Sequence, residues 1–152
     1  MNIALASDHG GFPLKVILVE HMRMLGYRVQ DLGTFSAEAS DYPDHARAVA
    51  NALIDGAAER GVLICGSGVG ACVAANKFPG VRAAICHDAF SAHQGVEDDD
   101  MNVLCLGARV IGPELAKEVV ATFLSATFSG AERHVRRLNK VKQIEKEFME
   151  KE

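Results

Sequence analysis

Short apolar runs alternate along the chain with longer segments in which apolar residues recur every three or four positions. That alternation predicts a parallel sheet covered by helices on both faces. NIALAS reads as the first strand. Helical spacing follows through Leu14, Ile17, Leu18, His21, Met22 and Leu25 and stops at Gly26, after which YRVQDLG reads as a second, short strand. Asp41 is placed to cap a helix with Pro43 in its first turn, running through Ala46, Val49, Ala50 and Leu53 to Glu59. GVLICG is apolar nearly throughout, as a central parallel strand should be, and a glycine-rich turn leads from it into the small-residue helix ACVAANK, ended by Pro79-Gly80. VRAAICH and NVLCLG predict the fourth and fifth strands, with the polar DAFSAHQGVEDDD between them as helix and loop. Pro113 opens a helix through Leu115, Val119, Val120, Phe123 and Leu124.

Beyond Ser129-Gly130, Val135, Leu138, Val141, Ile144 and Phe148 keep helical spacing in a densely charged stretch. This C-terminal helix, 130–152, carries one apolar stripe that needs cover, from its own domain or from a partner subunit. A length of 152 residues, with no internal repeat and no linker, makes 1–152 one domain. The formal charge of −4 argues against a nucleic-acid partner, since binding a phosphate backbone needs a net basic face. MNIALASDHGG shows no basic leader, and no stretch reaches the ~18 apolar residues of a membrane span, so the expectation is a cytoplasmic protein with no membrane partner. Cysteines at 65, 72, 86 and 105 lack paired metal or redox spacings, and Cys72, Cys86 and Cys105 are expected to be buried small hydrophobes.

In open parallel sheets ligands collect where strands end. Two polar clusters fall there: SDHGG after the first strand, with Asp8 and His9, and CGSGVG after the third, with Cys65, Gly66, Ser67, Gly68, Val69 and Gly70. If those strands are neighbours, carboxylate, imidazole, thiol and hydroxyl share one crevice. The glycine turn admits three readings. Phosphate cradling fits poorly, because GSGVGA is neither GxxxxGK nor GxGxxG after a first strand. A redox site fits less well, with Cys72 seven residues from Cys65 on a helix expected to be buried. The third reading has the amides stabilising an oxyanion or enediolate while the thiol, its thiolate favoured beside them, moves protons. Arg133 and Arg137, four apart on one helical face, and Arg109 after the fifth strand suit a phosphate. The bland alternatives are a turn role for Asp8-His9 and a solvated basic face for Arg133 and Arg137.

SDHGGFPLK, DLGT, DYPD, ICGSGVG, AANKFPGVRAA, NVLCLGARVIG and GAERHVRR, in this order over essentially the whole chain, resemble the ribose-5-phosphate isomerase type B and galactose-6-phosphate isomerase family. The resemblance implies a three-layer α/β/α sandwich with a Rossmann-like five-stranded parallel sheet plus a C-terminal helix. It implies a homo-oligomer, dimer or tetramer, with active sites at the subunit interface. The implied reaction is a metal-free, cofactor-free aldose–ketose isomerisation of a sugar phosphate through an enediolate. Ribose 5-phosphate to ribulose 5-phosphate is the expected interconversion. Carried over by position, Cys65 is the base between C1 and C2, Ser67 assists at the oxygens, and the amides of Gly66 to Gly70, Val69 included, hold the enediolate. Asp8, His9 and Tyr42 contact the sugar; Arg109, Arg133 and Arg137 bind phosphate, part of the set coming from the partner subunit. Relatives that lack the cysteine use a glutamate a few residues on; here that position is Ala71.

One departure stands out. Ring-opening members of the family carry His-Asn-Asp before the fifth strand, and this chain has Asp98-Asp99-Asp100. Asp98 could serve as the acid, kept protonated by repulsion among adjacent carboxylates, with Asp99 at the sugar. His9, His87 or His93 could substitute, or the substrate could be one that needs little help opening, such as a four-carbon sugar phosphate. The Asp run also fits a solvated loop or helix cap. A non-catalytic phosphosugar-binding protein on the same scaffold is the rival from another class, although binding alone would not require a thiol beside an anion hole.

Overall fold

The computed structural model describes residues 1–149, so the end of the expected 130–152 helix lies outside the described residues. In chain order the elements are β1 (Asn2–Ser7), α1 (Phe12–Met24), β2 (Arg28–Asp31), α2 (Tyr42–Ile54), β3 (Arg60–Cys65), α3 (Val69–Ala75), β4 (Ala83–Ile85), α4 (Ala89–Asp99), β5 (Val103–Gly107), α5 (Pro113–Ser125) and α6 (Glu132–Met149). The strands form one parallel sheet in the order β2-β1-β3-β5-β4.

Alternation along the strands sorts the core into two layers. Val62 and Ile64 of β3, with Ile3, Leu5, Leu104 and Leu106, pack under α1, α4 and α5. Leu63 and Cys65, with Ala4, Ala6, Val103 and Cys105, pack under α2 and α3. The expected three-layer α/β/α sandwich is thus the observed one. The second layer is built from small residues, so its helices sit close to the sheet. A Cβ on Gly61 would lie 2.4 Å from Cγ1 of Val49, which leaves no room for any side chain there.

Strands β1 and β3 are neighbours, but the chain leaves β1 through α1 on one face and β3 through α3 on the other. Their carboxyl ends therefore border the crevice where connections diverge, the usual ligand position in open parallel sheets.

Four local features differ from the pattern reading. Helix α2 stops at Ile54, where Asp55 caps it and Gly56 turns at φ +75°, short of the expected Glu59. Asp41 occupies its N-cap position without a side-chain capping bond; Asp41 O accepts the Asp44 N–H instead. The polar segment before β5 is helical almost to its end, started by Asp88, whose Oδ2 accepts the Ser91 N–H at 2.7 Å. Lys15 is 1% exposed, its Nζ 2.5 Å from Asp31 Oδ1 and over the Phe35 ring at 4.7 Å, which hydrophobic periodicity could not reveal.

Helix α6 crosses the amino-terminal end of the sheet beside β4. Gly80 N–H, just ahead of that strand, donates to Glu145 Oε1 at 2.8 Å, and Leu138 is buried. The rest of the stripe, Val135, Val141, Ile144 and Phe148, is exposed. The close seat of α2 gives a test: Gly61→Ala should lower the urea midpoint with an unchanged slope, costing about 1–3 kcal/mol of overpacking.

Candidate active site

The turn after β3 is shaped by three close approaches. Gly68 takes φ +84°, and a Cβ there would meet the Leu106 and Gly107 backbone at 3.0–3.3 Å. A Cβ on Gly107 would sit 2.5 Å from Ser67 O, so the turn rests directly on the end of β5. A Cβ on Gly70 would fall 2.8–3.0 Å from the Tyr42 ring, which brings the first residue of α2 against the turn. Only residues without side chains permit this packing.

Within the turn, Cys65 Sγ accepts the Gly68 N–H at 3.1 Å, and Ser67 Oγ accepts the Val69 N–H at 3.2 Å. Cys65 is 4% exposed, placed where the apolar α2–α3 layer meets this polar turn. Ala108 and Arg109 N–H donate to the carbonyls of Cys65 and Gly66, and the Arg109 side chain runs alongside Gly66, within 3.6–3.8 Å of where its Cβ would stand. A thiol, a hydroxyl, backbone amides and one guanidinium thus meet at a single place.

The end of β1 completes the crevice. Asp8 Oδ1 accepts the Gly11 N–H at 3.0 Å, and a Cβ on Gly10 would touch both Asp8 Oδ1, at 3.3 Å, and Gly66 N, at 3.4 Å. The ends of β1 and β3 thus meet at main-chain distance beside the Asp8 carboxylate. His9 Nδ1 accepts the Ser40 N–H at 3.1 Å, and Ser40 Oγ lies 3.0 Å from His45 Nε2. Burial pushes the His45 pKa below its ordinary value, with the Asp8 carboxylate the leading opposing influence. His45 was not singled out in the sequence, yet it stands three residues after Tyr42 on one face of α2, and that spacing could have flagged it. His87 also reaches the strand ends, its Nε2 accepting the Gly107 N–H at 2.9 Å.

Asp98, Asp99, Arg133 and Arg137 lie elsewhere. Helix α4 returns from the carboxyl end of β4 to the amino end of β5, so its last residues sit at the opposite edge of the sheet. A strand of this length separates the two edges by roughly 15 Å. Asp98 Oδ2 accepts from Gln94 Nε2 at 2.7 Å, and its Oδ1 is 3.3 Å from Nε2 of His134, which is 6% exposed. Asp99, Arg133 and Arg137 are exposed at that end, the arginines on α6. His93 pairs with Glu97 on α4 at 3.0 Å. One chain thus presents two polar sets on opposite edges: Asp8, His9, Tyr42, the Cys65–Gly70 turn and Arg109 on one, Asp98, Asp99, Arg133, His134 and Arg137 on the other.

The remaining thiols are all free. Cys86 and Cys105 are buried as expected, and burial holds the Cys86 pKa up, at about 11. Cys72 is only partly buried, and a hydrogen bond from Cys105 brings its pKa down to about 7; the same bond raises Cys105.

Comparison with known proteins shows what the sequence and fold are similar to. A model of the family described as ribose/galactose isomerase matches residues 3–141. Ribose-5-phosphate isomerase B of Escherichia coli (strain K12) is 45% identical over 144 residues, covering 95% of this chain and 96% of that one. D-erythrulose-4-phosphate isomerase of Pectobacterium atrosepticum is 42% identical over 131 residues, covering 86% of each. Among solved structures, Clostridium thermocellum ribose-5-phosphate isomerase B superposes with TM-score 0.94 at 44% identity, covering 97% of this chain and 99% of that one. Ribose-5-phosphate isomerase B of Mycoplasma genitalium, solved with bound ribulose-5-phosphate, gives 0.91 at 42%, covering 96% and 97%.

The Cys72 thiolate fraction rises as pH passes through about 7, so iodoacetamide should alkylate Cys72 ahead of Cys86 and Cys105. Peptide mass spectrometry across pH 6 to 8 reads this order, and a Cys72→Ala chain should lose the early-labelled peptide.

Proposed function

The chain belongs to the ribose/galactose isomerase family, and on that premise we propose that it interconverts D-ribose 5-phosphate and D-ribulose 5-phosphate through an enediolate. The observation that carries the reading is the junction at Cys65: its sulfur takes the Gly68 N–H while the turn amides, Ser67 and Arg109 gather around the same point. In this mechanism the Cys65 thiolate removes the proton from C2 of the open-chain aldose. The C2–H electron pair forms the C1–C2 double bond, and the carbonyl oxygen at C1 takes a proton. The Gly66–Gly70 amides stabilise the negative charge on the enediolate oxygens, as preorganised donors do. The C2 hydroxyl then loses its proton, C2 becomes the carbonyl, and the sulfur returns its proton to C1. Ser67 Oγ assists the transfers between oxygens. Asp8, His9 and Tyr42 hold the sugar hydroxyls. No electrons are gained or lost overall.

The phosphate end draws on a second copy of the chain. Arg109 stands beside the turn, whereas Arg133 and Arg137 project from the far edge on a helix whose Val135, Val141 and Ile144 are exposed. A symmetric homo-oligomer that buries this stripe would bring one subunit's α6 to the other's crevice, with Asp98, Asp99 and His134 alongside. Four free cysteines suit a cytoplasmic enzyme, and among the described residues no helix is long and apolar enough to cross a membrane.

A second reading rests on Asp98. Its two oxygens are engaged by Gln94 and His134, an arrangement that holds it as an acceptor rather than as the acid that opens a sugar ring. A tetrose 4-phosphate needs no such acid, because the hydroxyl that would close its five-membered ring is esterified. The similarity to a D-erythrulose-4-phosphate isomerase supports this four-carbon substrate.

Cys65→Ala should lower kcat by at least about 10²-fold with its circular dichroism spectrum unchanged, the usual scale for loss of a proton-transfer group. Arg137→Ala should raise KM for the phosphosugar by about 10- to 100-fold, the scale of a lost charged hydrogen bond. At substrate well below the raised KM, where neither variant alone turns over appreciably, mixing the two chains should restore about a quarter of wild-type turnover if sites are shared, since half of randomly paired dimers are mixed and each holds one intact site. No recovery would place Cys65 and Arg137 in one subunit's site or in none. The ratio of kcat/KM for ribulose 5-phosphate and erythrulose 4-phosphate separates the two substrate readings: tenfold or more in favour of the four-carbon ketose selects the second. Tight binding without exchange of the C2 proton with solvent would instead leave a non-catalytic binder.

A further inference from the structure

His9 stands at the mouth of the crevice, exposed, directly after Asp8. Its ring is not free to choose a tautomer. The Ser40 N–H, 3.1 Å away, points at Nδ1 and can donate only to an unprotonated nitrogen, so a neutral His9 must carry its proton on Nε2. Ser40 lies in the loop between β2 and α2, and one turn into α2 the His45 imidazole takes up its hydroxyl, Nε2 to Oγ at 3.0 Å. Two bonds therefore converge on Ser40, one from its amide to the site histidine and one from its hydroxyl to a helix-borne histidine. The helix that carries His45 also carries Tyr42, whose ring packs on Gly70.

We propose that His45 is a positioning residue: acting through Ser40, it locks His9 as the Nε2–H tautomer, a fixed hydrogen-bond donor toward an oxygen of the bound sugar phosphate. This deepens the isomerase reading and rests on it for the identity of that oxygen, though not for the tautomer. Loss of the His45 bond leaves Ser40 held only by the loop backbone, so the amide that dictates the His9 tautomer is no longer fixed in place. Burial keeps His45 itself neutral near pH 7, against Asp8, Asp44 and Asp41, which favour its charged form, and with Lys15, which opposes it. A neutral imidazole can either donate to or accept from the Ser40 hydroxyl, so the bracket holds in both tautomers of His45.

The test is ¹⁵N NMR of histidine-labelled full-length protein, read with kinetics on His45→Phe, His45→Gln and Ser40→Ala. Wild-type His9 should show a pyridine-type Nδ1 and a pyrrole-type Nε2. His45→Phe and Ser40→Ala, which cut the same link from its two sides, should both shift these signals toward a tautomer average and lower kcat/KM by about three- to tenfold, the worth of one neutral hydrogen bond. His45→Gln keeps a polar group in reach of Ser40 and should restore both readouts. A wild-type His9 protonated on Nδ1, or one whose signals ignore both link-cutting changes, overturns the proposal. Absence of turnover in the wild type would overturn the isomerase reading while leaving the tautomer measurement to decide this one.

Discussion

The contact on which the site depends is backbone against backbone: the turn after β3 rests on the end of β5 with no side chain between Gly107 and the Ser67 carbonyl. That contact sets the height of the turn above the sheet. It also aligns the Gly68 N–H with the Cys65 sulfur and places Arg109, two residues past Gly107, beside Gly66. The same device recurs at β1, where Gly11 lies against the Ile64 carbonyl with no space for a Cβ. The three central strands therefore end in loops that pack at main-chain distance, and a small crevice is what remains between them.

Charge is distributed to match. The crevice holds one buried carboxylate, Asp8, and one exposed guanidinium, Arg109, while the other arginines of the expected phosphate set sit on α6 at the far edge. Both guanidiniums are exposed on a helix where Val135, Val141 and Ile144 are exposed as well. These exposed groups are what the proposed symmetric pairing would draw on. Asp98 and His134 stand at the same edge, 3.3 Å apart. Their mutual contact ties the end of α4 to α6.

Much of the fold was legible in one dimension. Continuous apolar runs located the five strands and 3.6-residue spacing located α1, α2, α5 and α6, because a parallel sheet buried on both faces leaves long apolar runs that nothing else requires. The polar segment that forms α4 read only as helix and loop. Boundaries were less legible: α2 ends at Ile54 because Gly56 turns the chain, a choice that apolar spacing alone does not display. Lys15 escaped notice for a related reason. A charged residue reads as surface until its partner Asp31, sixteen positions away, is brought alongside. His45 escaped because its partner Ser40 lies outside the helix and is linked to His9 only through the folded loop.

By itself the sequence determined the kind of sheet, the order of its elements and the identity of the groups available for chemistry, since these follow from local pattern and from which residue types occur at strand ends. Tertiary structure alone decided the strand order that makes β1 and β3 neighbours and the close glycine contacts that aim the Gly68 amide at Cys65. It also decided the separation of Arg109 from Arg133 and Arg137. These are distances between residues far apart along the chain, and no local pattern encodes a distance that only folding creates.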